Sequence, residues 1–151
     1  MKFDPMNLPR AAEWRASFGG SPGLLEFLGE QGGATLALAF ASLFWPSFIE
    51  VRGCVILEER YDGRNFEEWW QKLGGNCSDV EAVVNHVHLW DVFDPDDEDV
   101  PDEALAYIGE ILARTWSCAL REKFPDRDFR VELSDEPQDY GPTLTVSSIV
   151  P

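Results

Sequence analysis

Along the chain the period of the apolar positions changes several times, and each change marks an element. Residues 9–18 have helical composition with weak periodicity and stop at Gly19-Gly20. Ser21-Pro22 then reads as an N-cap followed by a proline in the first turn, opening a short amphipathic helix through Leu24, Leu25, Phe27 and Leu28 to Gly32. The longest apolar run, residues 34–45, lies between Gly32-Gly33 and Pro46 and predicts a buried helix. It is too short to span a bilayer, which takes roughly 20 residues.

Residues 48–59 are rich in Ile, Val and Leu with Gly53 in the middle, a pattern that favours a tight hairpin turning at Arg52-Gly53 over one bulged strand. Beyond the polar turn at Asp62-Gly63, Asn65 is placed to cap a helix through Leu73, with Phe66, Trp69, Trp70 and Leu73 on one face. Ser78-Asp79-Val80-Glu81 has capping-box form and opens another short helix. From Asn85 to Phe93 the period becomes two, with His86, His88, Trp90 and Val92 on one strand face and Val87, Leu89 and Asp91 on the other. Pro101, followed by Asp102 and Glu103, starts the strongest helix, on which Leu105, Ile108, Leu112, Trp116, Ala119 and Leu120 recur at spacings of three and four. Pro125 ends it, and two alternating runs, Phe129/Val131/Leu133 and Leu144/Val146/Ser148, predict a C-terminal hairpin.

Strands in this pattern come in pairs or beside helices, without a strict β-α-β alternation. The expected class is therefore α+β, with a mainly antiparallel sheet of about four to five strands against several helices. A length of 151 residues, 44% of them hydrophobic, suits one domain over 1–151 with residues 1–8 flexible, and the six tryptophans are spread along the chain, as they would be if they knit a single core.

Charge changes the picture more than composition does. A net charge of −16 argues against nucleic acid or an anionic membrane as a direct partner and in favour of a basic protein. The excess is concentrated: Asp91, Asp94, Asp96, Asp97, Glu98, Asp99, Asp102 and Glu103 follow one another with no Lys or Arg between them. Trp90 and Phe93 flank that run, so acids and aromatic rings are offered together, charge steering encounter and the rings supplying contact area. Ser134 to Tyr140 repeats the theme, with acids leading to an aromatic. The plain alternative is a solvated loop beside core aromatics.

Other chemistry is thin. Cys54, Cys77 and Cys118 are odd in number and far apart, which suggests neither a disulfide framework nor a zinc ribbon and fits a reducing cytoplasm; Cys118 reads as a core filler and Cys77, in a loop, as the one thiol open to reaction. The proline-broken N-terminus has no secretory signal pattern. Nucleophile-elbow, Walker and dinucleotide-binding patterns are absent, so no cofactor is implied, and Glu58-Glu59 or Glu67-Glu68 are ordinary surface pairs. His86 and His88 share a strand face, as two ligands of one metal ion would, with Asp94 or Asp96 the candidates to complete a site, although two sheet histidines beside Trp90 are the simpler reading. The segment from Asp94 is no EF-hand, since the sixth and twelfth positions hold Asp99 and Leu105 where glycine and a bidentate acid belong.

The expectation is thus a non-enzymatic module that neutralises or regulates a basic partner, in the general manner of small acidic inhibitors and toxin-immunity proteins, the partner being a toxin or a nucleic-acid-acting enzyme. Its binding residues would be Trp90, Phe93, Asp94, Asp96, Asp97, Glu98, Asp99, Asp102 and Glu103. The alternative is a metal-binding protein or metal-dependent hydrolase built on His86 and His88. Oligomeric state is open.

Overall fold

Arg52 and Gly53 both have positive φ, 53° and 83°, the combination a type I′ turn needs, and they close a hairpin with Val51 opposite Cys54. Its strands are β1 (Phe48–Val51) and β2 (Cys54–Leu57). The computed structural model describes residues 3–94, 100–134 and 140–149. Among them the fold is α+β, with five strands divided between this two-stranded sheet and a three-stranded one.

Ahead of the hairpin lie α1 (Pro9–Ser17), α2 (Leu24–Gln31) and α3 (Ala34–Phe44). Before α1, Pro5–Asn7 form a 3-10 turn that buries Met6 and is capped by Asp4, whose Oδ1 accepts from the Met6 N–H at 3.0 Å. Helix α2 starts later than Ser21-Pro22 implies, because Gly23 is its N-cap and the Gly23 N–H donates to Glu26 Oε2 at 3.0 Å. Trp14 fastens α1 to α2, meeting Phe27 edge-on at 5.2 Å and donating its indole N–H to Glu30 at 3.2 Å.

Helix α3 forms where the apolar run predicts it but is not buried. None of its residues is buried; Leu36 and Leu38 are 52% and 68% exposed, and only Leu43 and Phe44 at its end lean on the core. The run is apolar on every side, so one face can rest on the domain while the remainder faces solvent.

After the hairpin come α4 (Gly63–Lys72) and α5 (Cys77–Val84). Asp62, not Asn65, caps α4, its Oδ1 accepting from the Asn65 N–H at 2.8 Å. Phe66 is buried in a small cluster with Cys54, Ile56, Val80 and Val84, which Trp69, Trp70 and Leu73 cover. Asn76 caps α5, and Cys77, its first residue, is joined to Cys54 by a disulfide with Cα atoms 5.0 Å apart. The spacing of the cysteines gave no hint of that pairing, since the rest of β2 and the whole of α4 lie between them.

The second sheet has the order β3-β5-β4, antiparallel throughout: β3 is Val87–His88, β4 is Phe129–Ser134 and β5 is Thr143–Ser148. Period two from Asn85 to Phe93 suggested a longer β3. It stops at His88 because the ladder fails there: the Leu89 N–H donates to Pro142 O at 2.8 Å, but proline has no N–H to return, and Gly141 at φ +72° turns the partner chain away. Leu89–Asp91 curl into a 3-10 turn instead.

Helix α6 (Asp102–Lys123) spans the second sheet, and Leu105, Leu112, Trp116, Ala119 and Leu120 are buried as their spacing predicts. Gly109 permits its close approach, for a Cβ there would lie 2.8 Å from the Leu133 methyls. Trp116 donates its indole N–H to Leu43 O at 2.8 Å, anchoring the end of α3. Cys118 is exposed on this helix and fills no core.

The two sheets are coupled by a polar ridge on α5. Glu81 and Asn85, both fully buried, are one helical turn apart and face the edges of β2 and β5. Glu81 Oε1 accepts from the Val55 N–H at 2.6 Å and from Ser148 Oγ at 2.9 Å, while Oε2 accepts from the Ser148 N–H. Asn85 Oδ1 accepts from the Leu57 N–H at 2.8 Å, and its amide donates to Val55 O at 2.8 Å and Val146 O at 3.3 Å. Ser78 extends the ridge by donating to Ser148 O at 2.9 Å. The capping box expected at Ser78 and Glu81 is therefore not made; both side chains are committed to the strands.

Candidate functional site

The residues singled out between His86 and Glu103 fall on three short pieces of structure. His86 and His88 lie at β3, Trp90 in the 3-10 turn that follows, and Phe93 and Asp94 at the exit from it. Asp102 and Glu103 form the exposed first turn of α6. Asp96, Asp97, Glu98 and Asp99 lie outside the described residues.

Neither aromatic is a free ring. Trp90 is half-buried and lies over Gly141, where a Cβ would sit 2.3 Å from the indole, and Tyr140 meets it edge-on at 5.3 Å. Phe93 is half-buried and stacks on Phe40 of α3, centroids 6.1 Å apart and planes 4° from parallel. That stack joins the start of the acidic segment to the exposed face of α3. Asp91 and Asp94 stand in solvent beside it.

The histidines do come together. Their Nε2 atoms are 3.0 Å apart, with ring centroids at 4.4 Å and planes nearly perpendicular. Each Nδ1 meets a threonine hydroxyl of β5: His88 with Thr143 Oγ1 at 2.9 Å, and His86 with Thr145 Oγ1 at 3.4 Å. His88 and Thr143 are cross-strand partners. Tyr140 packs edge-on against His88 at 5.7 Å. Among the described residues no third His, Cys, Asp or Glu joins them, so Asp94 does not complete a site there, and Asp96 lies outside those residues.

Two further features escaped the sequence. Leu24, Leu25, Leu28, Leu36, Leu38 and Trp45 are all exposed, Leu25 at 79% and Trp45 at 50%, so α2 and α3 each present several large apolar side chains to solvent. Beneath the end of α3 a cavity of about 380 Å³ is lined by Ala39, Ser42, Leu43, Pro46, Leu57 and Trp116, with the Glu59 carboxylate as its acidic group. Hydrophobic runs in a sequence read as core, and nothing local tells a run that finds no cover from one that does. Thr143 and Thr145 were legible in principle, as an alternating polar pair on the strand that faces a His-x-His.

No protein-family model matches the chain, and neither a curated protein nor a solved structure is recognisably similar to it. Function has to be argued from these surfaces. Among the described residues no helix is long and apolar enough to cross a membrane.

Proposed function

We propose that the chain is a protein-binding module for a basic, amphipathic segment of a partner protein. In this reading the partner lays apolar side chains on α2 and α3, inserts one into the cavity above Trp116, and sets cationic side chains on Glu59 and on the acids from Asp91 to Glu103. The observation that supports it is the exposure of α3, the most apolar helix among the described residues, beside Phe93 and Asp94, where the acidic run of the sequence begins. The Phe40–Phe93 stack ties α3 to the start of that run.

Charge selects the occupant. A second copy would bring another −16 to the same face, and an anionic membrane would be repelled likewise. A basic protein gains from both halves of the surface, with charge setting the association rate and the desolvated apolar contact setting the lifetime. Neutralising a toxin or a nucleic-acid-acting enzyme is the kind of task this suits, because the binding sites of such enzymes are basic.

The test is a pair of variants against the partner captured from the source cell. Replacing Asp94, Asp102 and Glu103 with lysine is expected to slow association by about tenfold or more at low salt and to flatten its salt dependence. Leu36→Asp with Leu38→Asp is expected to leave the fold intact and speed dissociation instead. A partner whose binding is indifferent to both sets would dispose of the reading.

A further inference from the structure

The geometry points to a transition-metal site at His86 and His88, a two-imidazole chelate for a divalent ion that favours tetragonal coordination, Cu(II) first and Ni(II) next. It does not depend on the docking surface proposed above.

The argument begins with one hydroxyl. Thr143 Oγ1 lies 3.0 Å from Gly141 O, which can only accept, so the single hydroxyl hydrogen of Thr143 is committed to that carbonyl. Towards His88 Nδ1, 2.9 Å away, the same oxygen must therefore accept, and Nδ1 must carry a hydrogen. In the neutral ring this leaves Nε2 bare. Its lone pair faces His86 Nε2 at 3.0 Å. A histidine whose outer nitrogen is held by a hydrogen bond while the inner one is bare has the arrangement that orients imidazole ligands on metals.

His86 can complete the pair by a change of tautomer and a small turn of its ring. Thr145 Oγ1, at 3.4 Å from His86 Nδ1, has no such commitment, so it can donate to that nitrogen or accept from it. In the metal-free pair His86 carries its hydrogen on Nε2 and donates to His88. On binding, that proton exchanges through solvent to Nδ1, the net charge of the ring is unchanged, and both Nε2 lone pairs become available.

Distance selects the metal. With metal–nitrogen bonds of about 2.0–2.1 Å, nitrogens 3.0 Å apart subtend roughly 90° at the ion. That is the cis angle of a tetragonal or square-planar site; tetrahedral zinc asks for a wider one, so Cu(II) and Ni(II) are preferred. With two ligands identified among the described residues, the ion keeps open positions for water or an exogenous donor.

The experiment uses tag-free protein and Cu(II), Ni(II) and Zn(II) salts, read by calorimetry and by electron paramagnetic resonance of the copper form. One Cu(II) per chain with two equatorial imidazole nitrogens is expected, in the order Cu(II) tighter than Ni(II) tighter than Zn(II). His86→Gln or His88→Gln should weaken binding at least tenfold, and Thr143→Val about tenfold through loss of the held tautomer. Nitrogen-15 spectra of the unaltered protein supply a readout independent of any variant, with His88 expected as the Nδ1–H tautomer and both ring signals broadened by substoichiometric Cu(II). Copper that binds the double glutamine variant as tightly, or ring signals that ignore copper, would overturn the site.

Discussion

At the residue scale the most consequential side chain is Glu81, a carboxylate placed where a neighbouring strand would ordinarily stand. It accepts from backbone N–H groups of two different sheets, at Val55 and at Ser148, and Arg127 lies 3.7 Å away, itself donating to Gly53 O at 2.9 Å and to Ser148 Oγ at 3.1 Å. Removing the carboxylate leaves the buried Val55 N–H and the half-buried Ser148 N–H without their acceptor and takes one of two carboxylates from Arg127, which keeps Glu50. Glu81→Ala is expected to cost about 3–5 kcal/mol in urea unfolding, most of it from groups left unpaired. Asn85→Asp tests the same ridge by charge rather than by size. It keeps the acceptor for the Leu57 N–H but turns an anionic oxygen towards Val55 O and Val146 O, where the amide now donates. At neutral pH it should destabilise by at least about 2–3 kcal/mol although the shape is unchanged. A loss below about 1 kcal/mol for either variant would mean that β2 and β5 are held together in some other way.

At the scale of elements, α5 acts as a spacer between sheets, and the disulfide fixes its start to β2. The cross-link closes a separation of 23 residues, for which restricting the unfolded chain is worth about 3 kcal/mol. Reduction, or Cys54→Ala with Cys77→Ala, should therefore lower the urea midpoint, while Cys118→Ala, at an exposed position, should not. Elements whose cause is local could be read from the sequence: the Arg52-Gly53 turn, the caps of acids and proline at α6, the alternation in β4 and β5. What could not be read was set by distant partners. Ser78 and Glu81 have the spacing of a capping box and the polarity of a solvent face, yet β2 and β5 occupy that face and take both side chains. Asn85 to Phe93 alternates as a strand should, but its pairing ends at a proline more than fifty residues away in the chain. The candidate site was half legible for the same reason. Strand parity placed the two imidazoles together, whereas the threonines that hold them belong to β5.

At the scale of the whole molecule an apolar surface and a large negative charge act against each other. Alone, the exposed leucines of α2 and α3 favour self-association, since several large apolar side chains are left facing solvent. Repulsion between chains that each carry −16 opposes it, and that repulsion depends on salt while the apolar attraction does not weaken with it. The Debye length falls from about 30 Å at 0.01 M to about 3 Å at 1 M, so the balance should tip within an accessible range. In sedimentation velocity the protein is expected to run as a monomer at low salt and to form dimers or larger species as sodium chloride approaches about 1 M. Leu25→Glu with Leu38→Glu should abolish the high-salt species and leave the monomer as stable as before, because neither side chain is part of the core. The basic partner proposed above would reverse the sign of the charge effect: it would be drawn in at low salt, where self-association is suppressed, and would meet the apolar side chains uncovered. A chain that stays monomeric at every salt concentration and at high protein concentration would show that the face is too weakly adhesive to hold a partner, and the acidic segment would then have to supply the affinity alone.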